Sequence, residues 1–199
     1  AGQRPGAGLR IGIFGGSFNP VHRGHLKLAR EAASELGLQK VFFVPSGRTP
    51  LKKDETLLPA ALRVKLLKKA VGDDPAFRVS LCEIKRKGAS YTVDTLKFFK
   101  KKFGKSATLY FLSGADTLKN LSRWRSPSEV LRLCRFVAFS RPGVHPRRVP
   151  KEVLFVPFDA LPVSSSDIRK RLRQGKPVGR LVPPGTEKSL KAYFKERSF

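Results

Sequence analysis

"IGIFGGSFNPVHRGHLKLARE" (residues 11–31) decides how the chain folds. An apolar run at 11–14 enters a Gly15-Gly16 pair, and a helical pattern begins beyond Pro20. Leu28, Ala29, Ala32, Ala33 and Leu36 are spaced as one helix face, and Gly37 follows as the stop. Outward from this unit the alternation repeats. Further β-rich runs are expected at 41–44, 79–84, 108–112, 136–139 and 153–158. Helical patterns fall at 60–71 before Gly72 and at 92–102 before Gly104, and a shorter one runs from an N-cap Ser126 and a first-turn Pro127 to Leu133. Strands alternating with helices predict an α/β fold: a Rossmann-like, doubly wound, mostly parallel sheet with helices on both faces. A flexible segment at 1–9 and one domain at 10–199 are expected.

Ligands of such sheets bind beyond the carboxyl ends of the strands, where strand order reverses. The first such turn is "GGSFNPVHRGH" (15–25). Gly15 and Gly16 let the backbone bend sharply and bring its N–H groups near a ligand, and Gly24 can do the same where the helix starts. His22 and His25 are three apart and share a face of the first helical turn, beside free N–H donors and the positive end of the helix dipole. That arrangement suits phosphate oxygens. A structural pair or a metal site would use the same spacing, although the remaining histidine, His145, lies in a basic loop. The turn follows neither the G-x-G-x-x-G spacing nor a Walker A loop.

The formal charge is +26, from 41 Lys and Arg against 15 Asp and Glu, which favours polyanionic partners such as nucleotides or nucleic acid. The basic residues are spread along the chain, as on a solvated surface. No regular aromatic series is interleaved with them, so nucleic-acid binding is not expected as the primary role. Cys82 and Cys134 stand far apart near apolar runs and signal neither a disulfide framework nor a zinc cluster. No apolar stretch approaches the roughly 18 residues of a bilayer span, and the first ten residues lack the apolar middle of a signal peptide. A cytoplasmic protein with no membrane partner is the expectation.

Two later stretches carry polar chemistry. In "SSSDIRKRLRQGKPV" (164–178), Ser164 and Asp167 fit a capping box, which would leave Ser165, Ser166 and the first amides to face phosphates. Arg169 lies in the same first turn and can grip phosphate oxygens in a bidentate way. Taken alone, this is also an ordinary capped basic helix. Trp124, the single tryptophan, would on its own read as a core residue.

"GGSFNPVHRGH" closely resembles the G-G-[ST]-F-[DN]-P-x-H-x-G-H signature of the nucleotidyltransferase superfamily, in the long form of bacterial nicotinate-nucleotide adenylyltransferases. "SSSDIR" is similar to the superfamily's S-S-x-x-I-R, "SYTVDTL" to the family's S-Y-T-x-D-T-L, and "GADTLKNLSRW" to its G-x-D…L…W region. The resemblance implies transfer of AMP from ATP to nicotinate mononucleotide, giving deamido-NAD and pyrophosphate, with Mg²⁺ carried by the nucleotide phosphates. It implies that His22, His25, Lys52 and Arg169 are catalytic. ATP would be bound by Gly15, Gly16, Ser17, Phe18, His22, Gly24, His25, Gly114, Asp116, Ser165, Ser166 and Arg169. Nicotinate mononucleotide would be bound by Ser17, Lys52, Tyr91, Thr92, Trp124 and Arg141, with Trp124 stacked on the pyridine ring. At 46–53 the chain departs from the family's P-P-H-K ending, with Thr49 and Leu51 in place of the first proline and the histidine. Another acceptor within the superfamily, or a nucleic-acid-binding protein on this fold, are the alternative readings.

Overall fold

In a computed structural model, which describes residues 8–47, 57–140 and 150–196, the apolar runs form one sheet. The strands are β1 (Arg10–Gly16), β2 (Lys40–Pro45), β3 (Phe77–Val79), β4 (Thr108–Gly114), β5 (Arg135–Ser140) and β6 (Val153–Pro157). Their order is β3-β2-β1-β4-β5-β6 and each pairing is parallel, as the doubly wound reading requires. Near-continuous apolar strands suit this sheet because both of its faces are covered. The chain winds outward from β1 through β2 to β3, then returns to place β4 on the other side of β1. The crevice between β1 and β4 is therefore where a ligand is expected.

The helices are α1 (Arg23–Glu35), α2 (Ala60–Val71), α3 (Thr92–Phe103), α4 (Pro127–Leu133), α5 (Ser165–Arg173) and α6 (Glu187–Lys195), with a run of 3-10 turns at Ala115–Arg123. On one face, Phe14, Phe43, Tyr110 and Leu112 pack against Ala29 of α1, Leu66 of α2, Ile168 of α5 and Leu190 of α6. On the other, Ile11, Ile13, Leu109 and Phe136 meet Val93, Leu96 and Phe99 of α3 and Val130 of α4. Burial of each such side chain contributes about 1.5–3 kcal/mol. Gly12 is the tightest point of β1: a Cβ there would lie 2.8 Å from Leu38 Cδ1 and 3.1 Å from Val41 Cγ2.

Two local expectations need correction. The strand expected at 79–84 ends at Val79, because after Ser80 N–H reaches Phe43 O (2.9 Å) the chain turns on itself through Lys85 N–H to Leu81 O (2.9 Å). Ser126 precedes α4 as expected, but its left-handed backbone (φ 51°) makes no side-chain cap. Of the expected segment 1–9, residues 1–7 lie outside the described residues. No described helix is long and apolar enough to cross a membrane.

Candidate functional site

The turn after β1 is built from the core outward. A Cβ on Gly15 would lie 3.3 Å from the Phe111 ring, and one on Gly16 3.3 Å from the Phe18 ring, so a side chain at either position would press on an aromatic ring below the turn. Phe18 adopts a left-handed backbone (φ 44°), which costs about 1–2 kcal/mol. Its buried ring offsets that cost, lying edge-on to Phe14 (5.4 Å) and to His25 (5.0 Å). Ser17 is half-buried beside Phe18, and the Asn19–Pro20 peptide that follows is cis.

His22 occupies the N-cap of α1 and His25 its first turn, and their rings stack 3.6 Å apart at 27°. His22 N–H donates to His25 Nδ1 (3.1 Å). An Nδ1 that accepts leaves the proton of a neutral ring on Nε2, so His25 is a donor through Nε2. Burial lowers His22 to about 4. Burial and then the neighbouring His22 hold His25 well below the ordinary imidazole range. Both rings are thus neutral at pH 7. Gly24 serves the pair in a way the sequence reading did not foresee: a Cβ would lie 3.1 Å from His22 Nδ1 and 3.1 Å from Val163 Cγ1. The missing side chain makes room for the His22 ring.

The start of α5 docks onto this turn. Ser164 Oγ accepts Asp167 N–H (3.1 Å), the expected cap, while the Asp167 carboxylate pairs with Arg171 (2.9 Å). Ser165 was expected to face phosphates, but its hydroxyl donates to Pro20 O (2.9 Å) and holds the two motifs together. Ser166 is exposed and takes Arg169 Nη2 at 3.4 Å, and Arg169 Nη1 donates to Asn19 O (2.7 Å). His22 Nδ1 and Arg169 Nε are the buried side-chain polar atoms without a partner among the described residues, and both belong to this junction. A second clasp closes α1, where Arg23 N–H and Nε donate to Leu181 O (3.0 Å) and Val182 O (3.2 Å). Two helix N-termini, two neutral imidazoles and a guanidinium thus gather at one strand end, an arrangement whose donors and dipoles suit an anion, here termed the anion seat.

Other expected contacts fall around the crevice. Gly114 ends β4 and Asp116 lies just beyond it, both exposed, and Asp116 faces Lys119 at 3.4 Å. Tyr91 and Thr92 are half-buried at the start of α3, and the Arg125 guanidinium lies 4.8 Å over the Tyr91 ring. Trp124 is half-buried, edge-on to Phe111 (5.7 Å) and tilted against Phe136 (5.9 Å). Lys52, Arg141 and His145 lie outside the described residues, as do Thr49 and Leu51.

Two residues escaped the sequence reading. Glu83 accepts Thr95 Oγ1–H (2.7 Å) and Gly47 N–H (3.4 Å), tying the end of β2 to α3, and burial pushes its carboxyl up. Arg63 is buried on α2 and bonds three backbone carbonyls, among them Ser17 O (2.8 Å) in the site turn. Its signal was a charged residue in the apolar stripe of Leu66, Leu67 and Ala70.

The sequence pattern described as cytidylyltransferase-like matches residues 13–171, spanning both motifs of the seat. The chain belongs to the cytidylyltransferase-like family. Within that family, it is 42% identical over 198 residues to a "probable nicotinate-nucleotide adenylyltransferase" of Desulfitobacterium hafniense, covering 94% of this chain and 93% of that protein. It is 40% identical over 200 residues to a protein of the same name from Moorella thermoacetica, covering 95% and 91%. Among solved structures, nicotinic acid mononucleotide adenylyltransferase of Plasmodium falciparum, complexed with NaAD, superposes with a TM-score of 0.73 at 18% identity, covering 93% of this chain and 96% of that one. That likeness concerns the cytidylyltransferase-like fold.

Proposed function

We propose that this protein is a nicotinate-nucleotide adenylyltransferase, which transfers AMP from ATP to the 5′-phosphate of nicotinate mononucleotide and forms deamido-NAD and pyrophosphate in NAD biosynthesis. The observation that carries the reading is the docking of Ser165 and Arg169 onto the Pro20 and Asn19 carbonyls, which unites both nucleotidyltransferase motifs in one anion seat. The names of its full-length relatives support the same activity.

In the reaction, a 5′-phosphate oxygen of nicotinate mononucleotide attacks the α-phosphorus of ATP, and the bond to the β-phosphate breaks, its electron pair leaving with pyrophosphate. The nucleophile is already ionised, so no general base is required, and catalysis is positioning plus stabilisation of charge. His25 Nε2–H donates to an α-phosphate oxygen, and His22 beside it completes the donor pair. Arg169 and Lys52 neutralise charge growing toward the leaving pyrophosphate. The backbone of 15–18, Gly24, Ser165 and Ser166 lines the phosphates, and Gly114 and Asp116 serve the ribose. Ser17, Tyr91, Thr92, Trp124 and Arg141 receive the nicotinate nucleotide, with Trp124 stacking on its ring. Mg²⁺ would be carried into the site by the nucleotide phosphates. The ion would supply charge neutralisation there, and the reaction is assigned to the cytoplasm.

Pyrophosphate release from Mg-ATP tests the reading, with nicotinate mononucleotide compared against its amide. Release strongly favouring the acid is expected. Comparable rates would make the enzyme dual in specificity, and no release with either would overturn the assignment.

A further inference from the structure

Arg63 is 3% exposed, yet its guanidinium has no carboxylate at ion-pair distance among the described residues. A buried charge is costly unless its donors are satisfied. Arg63 satisfies them on three backbone oxygens from three places: Nε on Leu58 O (3.1 Å), Nη1 on Ser17 O (2.8 Å) and Nη2 on Ser46 O (2.9 Å). Those places are also bonded to one another. Ser46 N–H reaches Gly16 O (2.8 Å) and Leu58 N–H reaches Asn19 Oδ1 (2.8 Å). The turn at 16–19 is thus gripped by one guanidinium at Ser17 O and by another, Arg169, at Asn19 O (2.7 Å).

The C=O and N–H of a trans peptide point in opposite directions. Drawing the Ser17 carbonyl inward onto Arg63 therefore turns the Phe18 N–H the other way. The interior cation also keeps a positive charge beneath the turn, with no acid at ion-pair distance among the described residues, and burial, which lowers its pKa, does not deprotonate an arginine. We propose that Arg63 is a positioning residue of the anion seat: its three-carbonyl fork orients the 16–19 turn, and its buried charge strengthens phosphate binding there. The proposal deepens the adenylyltransferase reading and rests on it for the turnover part of its test.

Arg63→Lys keeps the charge and loses the planar fork, whereas Arg63→Met loses both. For Arg63→Lys, kcat of pyrophosphate release is expected to fall about ten- to a hundred-fold, the effect of misplaced reacting groups. For Arg63→Met, the affinity of the ligand-free protein for inorganic pyrophosphate is expected to fall about tenfold at a temperature where its melt shows it folded. A purely structural Arg63 would instead behave like Leu66→Ala, one turn along α2, with a lower melting temperature and unchanged pyrophosphate affinity. Should Arg63→Met give no cooperative melt, Arg63→Gln replaces it in the binding measurement. Parent-like turnover in Arg63→Lys, or parent-like pyrophosphate affinity in the uncharged variant, overturns the proposal. If the parent itself releases no pyrophosphate from ATP, the adenylyltransferase reading fails, and the binding measurement still judges Arg63.

Discussion

Protonating His25 would set an Nδ1–H against the His22 N–H that now donates to it, so the stacked pair works as neutral donors only. His25→Ala is expected to remain folded by circular dichroism while turnover falls about a hundred- to a thousand-fold, as for loss of one preorganised donor. Gly24→Ala is expected to remain folded by circular dichroism as well, with the added methyl wedged between the His22 ring and Val163. Its 3.1 Å approach to His22 Nδ1 displaces the ring, and pyrophosphate release is expected to fall on the order of a hundred-fold. Acid sensitivity follows from burial of the same pair. The unfolded chain takes up a proton at His22 near the ordinary pKa of 6.5 and the folded chain only near 4. Stability from this residue is therefore full above pH 6.5 and declines as pH falls toward 4, by about 3 kcal/mol. The drop in urea midpoint from neutral pH to near pH 4 should be smaller in His22→Gln than in the parent, the difference between the two proteins isolating this group from the carboxylates.

Among the elements, β1 shows how close the packing is. Gly12→Ala puts a Cβ 2.8 Å from Leu38 Cδ1, and overpacking of this kind costs about 1–3 kcal/mol, visible as a lower urea midpoint. Ser164→Ala removes the cap of α5 and should cost about 1 kcal/mol in the same measurement. Most elements could be read from sequence because apolar period and glycine stops agree: α2 has the expected bounds of 60–71, and β1, β2, β4, β5 and β6 lie on their apolar runs. The third strand was misplaced because Leu81, Cys82 and Ile84 are half-buried turn residues whose apolar character imitates a strand. The two motifs of the seat were legible as motifs. Their contact was not, since Ser165 and Arg169 meet backbone carbonyls, which any residue at 19 and 20 would offer. Arg63 and Gly24 were obscured for a related reason, one serving carbonyls and the other acting through a missing atom.

At the scale of the whole molecule, a charge of +26 around a site for polyphosphates draws substrates by a field that salt screens. The KM for ATP is expected to rise as ionic strength goes from about 0.05 M to about 0.5 M, with kcat changing less; a KM indifferent to salt would assign the basic surface another role. The clasp between the two ends of the site also has a temporal side. Ser165 reaches Pro20 across 145 residues, and Leu181 and Val182 secure the start of α1. Translation adds about 5–20 residues per second, and domains form from the N-terminal side first. A growing chain therefore carries both histidines for many seconds before the segment that completes their surroundings leaves the ribosome. The contacts that frame the two histidines are therefore complete only once synthesis has passed Val182.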